Sequence, residues 1–103
     1  MAVVAYVPDL MDRSRISAGA PATTFVTRLH ALAEAAVGAE AVVVDLERPG
    51  VLEALPALVA TGVRVVGFGS HVDRGTLEAA AATGCVAMPR SQFFRSLGAL
   101  ASS

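Results

Sequence analysis

Lysine is missing altogether. All eight basic residues are arginines, scattered as Arg13, Arg15, Arg28, Arg48, Arg64, Arg74, Arg90 and Arg95 in a chain of formal net charge −1. Guanidinium groups spread this way make no basic stripe for a phosphate backbone, which argues against nucleic-acid binding. Tryptophan is also absent and aromatic residues make up only 5% of the chain, so a core must be built from many small aliphatic contacts of Ala, Val and Leu. Cys85 is the only cysteine. That excludes an internal disulfide and a multi-thiolate metal centre, and predicts a core thiol in a reducing compartment. The N-terminal apolar run, residues 2–7, has no basic leader and is far too short for a secretory h-region or a membrane span. The expectation is a cytoplasmic protein with no membrane partner.

What is present is periodic. A length of 103 residues suits one domain, residues 1–103, with one sizeable core. Short β-branched runs bounded by turn residues predict strands at 2–7, 23–27, 41–46, 63–68 and, more weakly, 85–88, recurring about every twenty residues. Between them, Leu29, Leu32, Ala33, Ala36 and Val37, then Leu55, Leu58 and Val59, then Leu77, Ala80 and Ala81 follow helical spacing. A last helix is predicted to carry Phe93, Phe94, Leu97 and Leu100, and a short polar one to cover residues 12–18, closed by Gly19 and Pro21. Pro56 is compatible with a helix that starts near Glu53, because in a first turn its missing N–H costs nothing. Gly38, Gly62 and Gly84 each follow a helical stretch and precede a strand, the place of a helix-ending glycine. Strands that read as unbroken Val runs belong to parallel sheets covered on both faces, and right-handed crossovers supply helices to both sides. The prediction is an α/β domain of five strand-helix units.

In an open parallel sheet, ligands meet the carboxyl ends of the strands near the point where strand order reverses. Here those ends carry Asp9, Asp45, Ser70 with His71, and Arg90. Asp45 closes the third Val run, Pro49 stands four residues later, and Pro89 follows the fifth run. In these features the chain resembles the receiver domains of two-component response regulators over essentially its whole length. The resemblance implies a flavodoxin-like, three-layer (βα)5 fold with strand order 2-1-3-4-5. It also implies Asp45 as phosphoacceptor, Asp9 and Asp45 as ligands for Mg²⁺, and Ser70 and Arg90 as further pocket residues.

The match is partial, and the departures have chemical consequences. Receivers carry an acid pair after the first strand, but here Pro8 takes one position and Asp9 alone remains, with Asp12 too far along to replace the missing partner. The hydroxyl position after the fourth strand falls on Gly69, and the lysine position after the fifth on Met88. Carboxylates and cations at such a site neutralise charge developing on a transferred phosphoryl group, so their loss weakens that chemistry. The chain is therefore expected to be a degenerate, non-enzymatic receiver-like module that acts by protein interaction. The expected partners are a histidine kinase or an effector, and no cofactor is required. The contact face would lie around Phe93, Phe94 and Leu97, and the high apolar fraction predicts a homodimer. Two alternatives stand beside it: an active phosphoacceptor on Asp45 with Mg²⁺, and a domain binding a small anionic ligand at the same edge.

Simpler roles compete for the same residues. Asp45 can bond the amides of the loop that follows it, and Asp9, Ser70 and Asp73 can cap helices. His71 reads as an exposed loop histidine. The Ser70, His71 and Asp73 cluster lacks the geometry and the nucleophile elbow of a hydrolase, and Gly67 and Gly69 lack the third glycine and acidic partner of a dinucleotide loop. A serine- and threonine-rich FMN phosphate loop is also missing after the first strand. The Met88–Pro89 bond is a cis candidate by the same resemblance.

Overall fold

Successive side chains of a strand point to opposite faces, so a strand that is apolar at every position needs cover on both sides. The computed structural model, which describes residues 2–102, meets that need with five strands in one parallel sheet. They are β1 (Val3–Tyr6), β2 (Thr23–Phe25), β3 (Ala41–Asp45), β4 (Arg64–Gly69) and β5 (Val86–Pro89), and their order is β2-β1-β3-β4-β5. This is the flavodoxin-like arrangement. Central strand β3 is buried at all its positions, pairing Val43 with Ala5 on one side and Val66 on the other.

Helices α1 (Leu10–Gly19) and α5 (Arg90–Ser102) cover one face, where Ile16, Phe93 and Leu97 pack on Val3, Ala5, Val43, Val66 and Phe68. The other face is covered by α2 (Leu32–Ala35), α3 (Val51–Ala60) and α4 (Arg74–Ala82), with Leu32, Leu55, Leu58 and Ala80 over Val4, Val42, Val44 and Val65. Reversal of strand order after β2 explains the split: right-handed crossovers made in opposite directions along a sheet place their helices on opposite faces. The switch point lies between β1 and β3, whose carboxyl ends lead to Asp9 and Asp45.

Several local expectations are corrected. Asp9 caps α1 and so starts it at Leu10, two residues before the predicted start. The second helix shrinks to a 3-10 turn, Leu29–Ala31, followed by the single turn α2. Of its apolar positions Leu32 and Ala36 are buried but Val37 is 83% exposed, because Gly38 turns the chain away at φ +80°. Helix α3 begins at Val51 instead of near Glu53, so Pro56 lies inside it. Gly50 at φ +82° delivers the chain into Val51, whose complete burial anchors the early start, while Pro56 is exposed, where water can meet the backbone carbonyl its ring leaves unbonded. Met88–Pro89 is trans, since there is no cis peptide bond among the described residues. Phe93 and Leu97, expected on a partner-binding face, are core residues at 1% and 5% exposure. Phe94 is half-buried in an aromatic cluster with Phe68 and Phe93. Among the described residues no helix is long and apolar enough to cross a membrane.

Candidate functional site

The carboxyl edge of the sheet holds the two buried charged side chains of the described residues, Asp12 and Asp45, each 4% exposed. A carboxylate so far from water needs compensation, and each finds an arginine. Asp45 ends β3. Its Oδ1 accepts the Glu47 amide at 3.0 Å, and its Oδ2 lies 3.4 Å from Arg48 Nε. This is the loop-bonding role open to an aspartate at a strand end, with a guanidinium added. Asp12, set aside on sequence spacing, is brought to the edge by helix geometry. Asp9 Oδ1 accepts the Asp12 amide at 3.0 Å, and the first turn of α1 then carries the Asp12 side chain to Arg90 of α5, whose Nη2 donates to Asp12 Oδ1 at 2.5 Å.

Arg90 thus enters the edge from a position two residues past Met88. Its guanidinium also stands over the rings of Phe68 and Phe94, at 5.2 and 5.8 Å from their centroids. Arg15 covers Phe94 at 3.8 Å. The hydrogen bond that Arg90 donates to Asp12 raises the Arg90 pKa above its ordinary value. Partial burial opposes that rise, and the charges of Asp12, Asp45 and Asp9 add to it. Asp9, Asp12, Asp45 and Arg90 therefore form one electrostatic group at the switch point.

The other sequence candidates are placed less centrally. Ser70 is not a helix cap: its Oγ accepts the Val72 amide at 3.3 Å in a local turn, and its amide donates to Glu47 Oε1 at 2.8 Å. Asp73 is the cap of α4. The Thr76 hydroxyl first, and then the Thr76 amide, hold its carboxyl below the usual range. His71 is exposed. Sequence reasoning missed Asp12 and Glu47, the second of which ties the β3–α3 loop to the β4–α4 loop. For Asp12 a signal existed, because an Asp9 cap makes Asp12 the third helical residue, close to the sheet edge. For Glu47 there was none.

The carboxylates are already engaged: Asp9 Oδ1 caps α1, both oxygens of Asp45 accept contacts from the loop that follows it, and Asp12 faces a guanidinium, so an Mg²⁺ ion would compete with these partners for its oxygen ligands. Among the described residues no three metal-ligating side chains stand together. No protein-family model matches the sequence, and neither a curated protein nor a solved structure matches it.

Proposed function

We propose that this domain is a receiver-like signalling module that works by protein interaction, with a phosphorylation site that has lost its usual chemistry. One observation carries the reading: the two buried carboxylates at the switch point are each matched by an arginine of the same chain. Positive charge that a phosphorylation site would draw from an added ion and a lysine is already supplied by Arg90 and Arg48. A partner, whether a kinase, an effector or a second copy, would meet an apolar rim at that edge. Leu10 and Met11 in the first turn of α1 and Val72 on the β4–α4 connection are each at least 75% exposed there.

A second reading is favoured by the charge of Asp45 acting on Arg90 beside the Asp12 contact. An Asp45 oxygen attacks the phosphorus of a phosphohistidine, forming an O–P bond as the P–N bond breaks, with Arg90 balancing the charge on the phosphoryl oxygens. Arg48 would have to release Asp45 first.

Incubation with acetyl phosphate or beryllofluoride and Mg²⁺, followed by intact mass and the amide shifts of Asp9, Asp45, Ser70 and Arg90, separates the two. The first reading expects no added phosphoryl mass and no saturable shifts. Labelling that disappears in Asp45→Asn would establish the second.

A further inference from the structure

The second crossover is the thinnest cover on the sheet. Helices α1, α3 and α4 run nine or ten residues, whereas the chain between β2 and β3 offers a 3-10 turn and one α-helical turn. Beside α3 this leaves a cleft of about 560 Å³, within the roughly 300–1,000 Å³ of small-molecule sites. Buried Leu32 and Leu58 form its floor. Ala33, Ala54, Ala57 and Gly50 present nothing larger than a methyl group to it, and Leu29 is its remaining apolar lining residue. Gly50 has no freedom to be otherwise: its φ is +82°, and a Cβ there would come within 3.1 Å of Leu29 Cδ2.

Two polar side chains open on the cleft, His30 from the 3-10 turn and Glu53 from the first turn of α3. Among the described residues neither makes a side-chain hydrogen bond or an ion pair, and no arginine lines the cleft. The side-chain charge it offers is therefore one exposed carboxylate beside an apolar floor, which favours a cation on an apolar body. A second copy of the chain fits poorly. A two-fold contact sets the same patch against itself, which would leave hollow facing hollow and Glu53 facing Glu53.

We propose that the cleft between the second crossover and α3 binds a small, mainly apolar molecule carrying one amine. The full chain is titrated with phenethylamine, and with phenethyl alcohol and phenylpropionate as controls of the same body and different charge. Amide shifts of His30, Ala33, Glu53, Ala54 and Ala57 report on the site. Saturable shifts confined to these residues are expected, with the alcohol roughly fivefold weaker, the ratio for one solvent-screened charge contact. Glu53→Gln should bring the amine down to the level of the alcohol. Ala57→Phe fills the cleft and should abolish binding. Ala33→Leu, at another exposed position, makes the same test if Ala57→Phe does not fold. The proposal is overturned by an absence of saturable shifts, by phenylpropionate binding as well as the amine, or by an unaltered titration in Glu53→Gln. Concentration-dependent shifts of the same amides without any probe would assign the cleft to a second copy and overturn it equally.

Discussion

Arg90 of α5 meets the buried Asp12 carboxylate of α1 across 78 positions of sequence, and so joins the two helices that cover one face of the sheet. The same helices approach closely at another contact, where a Cβ on Gly19 would lie 2.8 Å from Leu97 Cδ2. The pair closes a packed interface and also neutralises charge at the switch point.

The costs of removing the two partners should therefore not add. Arg90→Ala leaves Asp12 buried without its counter-ion. A loss of about 1–3 kcal/mol is expected, below the range for a fully buried pair because the Arg90 side chain is 40% exposed. Asp12→Asn with Arg90→Ala should cost less than the sum of the single changes. Urea unfolding of the four proteins checks this, and strict additivity would mean the contact contributes nothing.

Gly67 lies in the middle of β4, paired with Val44 and Ala87, where a Cβ would come within 2.6 Å of Leu46 Cδ2. Leu46 is itself buried, so making room for that Cβ disturbs its packing. Gly67→Ala should destabilise the domain by about 1–3 kcal/mol through overpacking. Leu46→Ala in the same chain should relieve part of that loss, so that the double variant is more stable than the two single costs predict.

At the start of α4 the two sequence candidates part company. Asp73 accepts the Thr76 amide at 3.2 Å and the Thr76 hydroxyl at 2.7 Å, whereas Ser70 holds only a local turn. Asp73→Ala should lower the Tm by several degrees, and Ser70→Ala should leave it nearly unchanged. Because the folded Asp73 pKa is depressed, its contribution is full above the ordinary value of 3.8 and is lost as pH falls through the folded one. The Tm difference between wild type and Asp73→Ala should therefore shrink in acid.

Burial pushes the Cys85 thiol up to about 11 from an ordinary 9.0. A raised folded pKa means the unfolded chain loses its proton first. The thiol's contribution is thus intact below pH 9 and declines as pH rises toward 11. Over that window the wild type should lose about 2–3 kcal/mol that Cys85→Ala does not lose, as seen in chemical unfolding at stepped pH. Slow reaction of the folded thiol with a disulfide reagent at pH 8 follows from the same burial.

Local pattern made the strands legible. Val-rich runs at 41–46 and 63–68 can be satisfied only between two apolar layers, and the structure places β3 and β4 there. Gly62 and Gly84 were readable as helix ends, and they take φ of +87° and +99°. The shortened α2 was less legible, because the spacing of Leu32, Ala36 and Val37 suits a helix but does not say how many turns the crossover has room for. The early start of α3 escaped notice for a similar reason: Pro56 suggested a later beginning, and the burial of Val51 outweighed it. Asp9 and Asp45 could be placed at strand ends from sequence, though not the hydrogen bonds that occupy them.

The chain by itself determined the class of fold, the five strands and the helix-ending glycines Gly38, Gly62 and Gly84, because these follow from side-chain period and from φ, which act over a few residues. Only the tertiary structure decided which charges meet. Asp12 and Arg90, or Glu47 and the Ser70 amide, are partners because crossovers return their connections to one edge of the sheet. The same closure sent Phe93 and Leu97 into the core and left Leu10, Met11 and Val72 in water. Contact between residues far apart in the chain depends on how the layers stack, and that depends on every packed side chain at once.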